Sequence, residues 1–147
     1  VLAGDVVWEN FSPAETARLR EILAQPPPNL LFLPGRIPDE AAFNSLVHDA
    51  GILFLAYEDF PNSSNMLTKA AVFERPVITS QGFCMGRRTE HFRLGLTVPE
   101  ANPAACAAAI RQIAAGHIPN PDWDGYRRRH DRAALHAAFT KLLAASG

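Results

Sequence analysis

Two features are scarce in this chain of 147 residues: cysteine and net charge. Cys84 and Cys106 stand alone, without the spacing of a zinc site, and two thiols cannot build a disulfide framework. That usage fits a reducing compartment, and the expected location is the cytoplasm. A net charge of −1 supplies no global field for nucleic acid or acidic membranes, so recognition of an anion must be local. No apolar run approaches the roughly 18 residues of a membrane span, which argues against a transmembrane segment. Repeats and low-complexity linkers are also missing. The five histidines share no ligand spacing, so no metal is expected. The basic run Arg127, Arg128, Arg129, His130 comes without a groove-reading motif and reads as a solvated helix face, which excludes nucleic acid as the expected partner.

What is present is alternation. Apolar runs at 1–4, 30–33, 51–57, 75–80 and 96–99 have the length and composition of buried strands. Helical patterns separate them. Ser12, Pro13 and Glu15 form a capping box with Pro at the first helical position, and Pro26 to Pro28 stop that helix after the stripe Leu19, Ile22, Leu23. Phe43, Leu46, Val47 and Ala50 recur at helical spacing. Ser63 or Ser64 can cap a helix running to Phe73, and Gly95 is the expected stop of the helix after Gly82. Asn102, Pro103 and Gly116 bracket an Ala-rich helix. A Pro-rich segment with Gly125 follows, and then a last helix whose Leu135, Phe139, Leu142 and Leu143 are expected in the core.

Strand and helix alternating about five times predict a single α/β domain over 1–147, a Rossmann-like three-layer α/β/α arrangement around a parallel sheet of about five strands. Ligands of such sheets bind beyond the carboxyl ends of the strands. Two loops leave adjacent strands there, Tyr57 to Ser64 and Thr79 to Gly86. Each leads into a helix whose first N–H groups are unpaired, which suits a diphosphate. Ser63, Ser64, Thr79 and Ser80 add hydroxyl donors, and Gly82 allows a ligand close to the backbone.

Taken in order, "LLFLPGRIPDEAAFNSLVHDAGILFLAYEDFPNSSNMLTKAAVFERPVITSQGF", then "LGLTVP" and "NPAACAAAI", resemble the C-terminal, donor-binding half of group 1, family 4-like glycosyltransferases of the GT-B type. The resemblance covers about 30–113 and more loosely the whole chain. It implies a glycosyltransferase of hexosyltransferase type, moving a sugar from a nucleoside-diphosphate sugar to an acceptor, with no cofactor beyond that donor. The acceptor would be held by an N-terminal domain of the same protein that is absent from this chain. The chain opens inside a strand without initiator Met or leader, so a segment of a longer protein is expected, inactive in transfer on its own.

Carried over position by position, the resemblance makes Glu58 the first acidic residue of the family's paired-Glu motif and the catalytic candidate. Lys69 stands where the second Glu would contact the donor ribose, and Glu74 where a Gly is usual. Arg36 falls where relatives place a residue near the nucleotide base. Arg87 or Arg88 can supply the charge that meets the diphosphate, because a guanidinium binds phosphate oxygens bidentately. The alternative is a degenerate glycosyltransferase-like domain, a nucleotide-binding or interaction module, motivated by Lys69 and Glu74. An unrelated flavodoxin-like or receiver-like domain would need an acidic pocket by the first strand, where Asp5 stands alone.

Overall fold

Most helix signals written in the sequence are used in the computed structural model, which describes residues 1–118 and 120–145. The chain divides into two compact units, Val1–Phe43 and Asn44–Gly147, each considered by itself.

In the first unit, strand β1 (Leu2–Gly4) pairs in parallel with β2 (Phe32–Pro34), Leu2 opposite Phe32. Helix α1 (Pro13–Ala24) connects them. Its capping box is formed as expected: the Ser12 hydroxyl accepts from the Glu15 backbone N–H, and the Ser12 N–H donates to Glu15 Oε2 at 2.9 Å. The Ser12 hydroxyl also donates to Glu15 Oε2 at 2.7 Å, and that bond first, with the one from the Ser12 N–H, holds the Glu15 carboxyl below its ordinary pKa. A single 3-10 turn, Trp8–Asn10, places Trp8 under the Arg20 guanidinium, 5.1 Å from the ring centroid. Among the described residues of this unit, none is buried.

Helix α2 (Glu40–Asp49) begins in the first unit and ends in the second, where Val47 enters the core. Three strands follow in chain order and in lateral order: β3 (Leu53–Leu55), β4 (Val77–Ser80) and β5 (Gly95–Val98), all parallel. Helices α3 (Asn65–Val72) and α4 (Phe83–Phe92) make the two crossovers. Crossovers of one hand that advance in one direction place both helices on the same face. Leu53, Leu55 and Val77 accordingly pack with Leu67, Ala70, Ala71, Met85 and Phe92. The alternate residues Ile78 and Val98 point the other way, onto Ala109 and Ile113 of α5 (Pro103–Ala114). This unit is thus a three-layer α/β/α sandwich, and the α/β class expected from the alternation holds.

Among the described residues there are five strands, but in two sheets of two and three rather than one of five. Alternation in a sequence fixes which elements follow one another. It does not fix which strands become lateral neighbours. Two local expectations also change. Gly95 does not stop α4: Arg93, in the left-handed region at φ 56°, does, with the Leu94 N–H returning to Thr89 O. Gly95 belongs to β5, where a Cβ would overlap the Val77 backbone. The Pro-rich segment contains a further helix, α6 (Trp123–His130), capped by Asp122 and carrying Gly125 inside it. Its Tyr126 is wholly buried, edge-on to Phe92 and stacked on His130.

The last helix, α7 (Arg132–Ala145), overturns the expectation for its stripe. Leu135, Phe139, Leu142 and Leu143 are exposed, not core. Their periodicity reported an amphipathic helix and carried no information about what covers it. No helix among the described residues is long and apolar enough to cross a membrane.

Candidate functional site

The carboxyl ends of β3, β4 and β5 open into the loops that carry the candidate residues. At the end of β3 the chain turns through Asp59 at φ 45°, whose N–H donates to Glu100 Oε2 at 3.3 Å beyond β5. At the end of β4 the Ser80 hydroxyl donates to the Tyr57 carbonyl, tying the second loop to the first. Side-chain hydrogen bonds therefore hold these three strand ends in register with one another.

Two candidate residues, one on α4 and one in the loop after β3, meet directly. Arg88 of α4 donates from Nη1 to the Ser63 hydroxyl at 2.7 Å. Ser63 lies one residue before Ser64, whose hydroxyl caps α3 by accepting from Met66 N–H at 3.2 Å, so capping falls to Ser64 and Ser63 is left to Arg88. The N-terminus of α4 has no side-chain cap: Gly82 occupies the cap position at φ 73°, a region costly for other residues. The first N–H groups of that helix are thus without a side-chain acceptor, and the same helix carries the half-buried Arg88. The helix can start this close to the sheet because Gly86 lacks a side chain. A Cβ there would overlap the Ser80 carbonyl oxygen and come within 3.1 Å of the Gln81 carbonyl carbon.

Glu58 and Ser80 share a second feature, an open cleft of about 410 Å³ on the α5 side of the sheet. Phe54, Ala56, Cys106 and Ile110 form apolar wall, and Glu100 adds a second carboxylate. Phe54 and Ile110 are large apolar side chains left substantially exposed along it. The size falls in the range of roughly 300–1,000 Å³ usual for small-molecule sites.

The remaining candidates lie elsewhere. Thr79 is fully buried on the α3 and α4 side, its hydroxyl without a hydrogen-bond partner among the described residues. Strand alternation sends neighbouring Ser80 to the opposite face, so the two hydroxyls expected to act together are separated by the sheet. Lys69 is half-buried and donates from Nζ to Asn44 Oδ1 of α2 at 2.6 Å. The exposed Arg87 donates from Nε to Phe83 O of its own helix at 3.1 Å. Arg36 is exposed in the loop after β2, in the first unit. Both cysteines are free and half-buried, and among the described residues no group of three His, Cys, Asp or Glu side chains could hold a metal.

Glu74, where the resemblance implies a Gly, has a left-handed backbone at φ 56°. Its carboxylate accepts from both terminal nitrogens of Arg127 at 3.1 Å, while Arg127 also reaches Ala71 O and Asp124. The bond from Arg127 lowers the Asp124 pKa, and the two carboxylates raise that of Arg127.

Sequence reasoning missed Glu100 and the apolar wall. The signal was available: Pro99 and Glu100 follow β5 as Tyr57 and Glu58 follow β3, an acid at a parallel strand's carboxyl end. Comparison of the chain with family models, with curated proteins and with solved structures finds no match.

Proposed function

We propose that this chain is the donor-binding half of a glycosyltransferase of GT-B type, which takes a nucleoside-diphosphate sugar across the carboxyl ends of β3 and β4. The observation that carries the reading is the Arg88 to Ser63 hydrogen bond, which ties the helix that follows β4 to the loop that follows β3. In this reading the diphosphate lies against the uncapped start of α4 and Arg88, while the sugar reaches Glu58 in the cleft. Departure of the diphosphate is then favoured electrostatically, by positive charge fixed in place before the bond breaks. The acceptor, and with it transfer, belongs to an N-terminal domain of the full-length protein. The two free thiols fit a cytoplasmic location.

The test is a thermal-shift and calorimetric series with UDP, GDP, ADP and their sugar conjugates, with inorganic pyrophosphate as control. At 100 times its dissociation constant a ligand stabilises by about 2.7 kcal/mol. One nucleoside diphosphate should bind, and Arg88→Gln should abolish the shift without lowering the melting temperature of the free chain by more than a degree or two. Binding undiminished in Arg88→Gln would remove Arg88 from the site. Absence of binding to every nucleotide at millimolar concentration would reject the donor reading.

A second reading, an interaction module that has lost the donor, draws on a specific observation. Both residues that depart from the family pattern are engaged within the fold, Lys69 with Asn44 and Glu74 with Arg127. Lys69→Ala separates the two. Weakened nucleotide binding would keep Lys69 in a working donor site, whereas a domain without a donor shows no nucleotide affinity to weaken.

A further inference from the structure

The cleft on the α5 side has a one-signed lining. Glu58 and Glu100 enter it from the ends of β3 and β5, Ser80 from between them, and among the described residues no lysine, arginine or histidine lines it. Asn102, whose Oδ1 accepts from the Ala105 N–H, is the other polar side chain of the lining, and the rest of the wall is apolar, with Phe54 and Ile110 exposed toward solvent. Such a surface offers hydrogen-bond acceptors to hydroxyl groups and an apolar face to the C–H side of a ring. A carboxylate placed there would meet two like charges and no counter-ion.

We propose that this cleft selects the sugar of the donor by charge, admitting neutral hexoses and rejecting hexuronic acids, with Glu100 as the specificity-determining residue. The inference rests on the donor-site reading above. Hydroxyl donors to a carboxylate make charge-assisted bonds, which are about twice as strong as neutral ones. A uronate loses some of those bonds and adds repulsion, and like charges brought together are an effective means of excluding a competitor. Glu100 is distinguished from Glu58 because its Oε2 is already held by the Asp59 N–H. That bond fixes the carboxylate at the cleft and lowers the entropy lost when a ligand orders it.

The experiment compares dissociation constants for donor pairs that differ only at the sugar: UDP-glucose with UDP-glucuronate, and GDP-mannose with GDP-mannuronate, with UDP, GDP and ADP as sugar-free references. The neutral member should bind at least about tenfold more tightly. The ratio should shrink in 1 M salt, where the screening length is about 3 Å. Glu100→Gln, which keeps an acceptor for the Asp59 N–H, should bring the ratio within about threefold of unity by improving the uronate. Equal binding of both members, with the nucleoside diphosphates still binding, would overturn the charge selection and leave the donor site standing. A ratio that Glu100→Gln does not change, in a variant that melts like the parent, would overturn the assignment to Glu100. If no nucleotide binds at all, the donor reading falls and this inference with it.

Discussion

Replacing Gly86 by alanine sets two physical effects of opposite sign against each other. Gly86 is the fourth residue of α4, and in an open helix Gly→Ala stabilises by about 0.8–1.0 kcal/mol. Here the added Cβ would overlap the carbonyl oxygen of Ser80 and press on Gln81. These are backbone atoms, and Ser80 is the last residue of β4, paired with Val98 of β5, so it cannot rotate away as a side-chain tip would. The helix must instead lift off the strand end. Overpacking of this kind costs about 1–3 kcal/mol, and an unyielding backbone contact belongs at the upper end. The net effect is a loss of about 2 kcal/mol, or roughly 4–8 °C in Tm for a chain of this size. Calorimetric melting measures it, and Gly51→Ala is the control. Gly51 has φ outside the left-handed region and open space around its Cβ, so that change should leave Tm level or raise it slightly. Because Arg88 reaches Ser63 from the next half-turn, Gly86→Ala should also weaken nucleotide binding more than its Tm loss explains. A rise in Tm for Gly86→Ala would refute the reasoning, since it would mean that helix propensity decides the outcome and α4 does not rest on the end of β4.

Leu67→Ala removes a fully buried side chain from the core between α3 and the sheet and should destabilise by about 2–5 kcal/mol, read as a lower urea midpoint at unchanged slope. Asp124→Ala should lower Tm at neutral pH and matter less in acid. The folded-state pKa of Asp124 is depressed by its bond from Arg127, so its contribution is present above the ordinary value of 3.8 and is lost as the pH falls through the lower folded value. Melts at pH 7 and pH 2.5 should therefore show a gap between the two proteins that narrows in acid, and an unchanged gap would assign the effect to something other than the charge.

Much of the local structure was legible because its signals are local. Ser12 with Glu15, Asn102 with Pro103, and Gly116 each act within one turn of helix, and each does in the structure what its residue type does in general. At Gly116 the His117 N–H returns to Gln112 O and the Gly116 N–H to Ile113 O, a complete Schellman closure. Helix α6 was legible only as a solvated basic face over 127–130; its start and its buried side were hidden because Trp123 and Tyr126 are its only large apolar residues and Gly125 reads as a turn. The clue was Asp122, three residues before Gly125, whose side chain takes that N–H at 2.9 Å. The division into two sheets was not legible, because lateral adjacency depends on contacts far apart in sequence. The site divided along the same line. Ser63, Ser80, Glu58 and Arg88 could be named from strand ends and helix starts, whereas the burial of Thr79 depends on a strand phase that only packing fixes.

Glu74 and Lys69 are both engaged within the fold, and their contacts show which structural demand each residue meets. A glycine at 74 would accept φ 56° without strain, whereas glutamate bears a cost there that something must offset. What it gains is Arg127: the guanidinium bridges Glu74, the Ala71 carbonyl at the end of α3, and Asp124 in the first turn of α6. The residue in the tight turn has become the anchor of a helix that also inserts Tyr126 into the core, where its hydroxyl lies 3.3 Å from Thr68 Oγ1 of α3. Glu74 therefore answers to the docking of α6, a structural demand at a distance from the strand ends where Arg88 and Ser63 meet. Lys69 sits one residue after Thr68 on α3 and donates to Asn44 of α2, so it serves a different side of the same helix. The two residues respond to separate constraints, and under the proposed donor-site reading only Lys69 bears on recognition of a ribose.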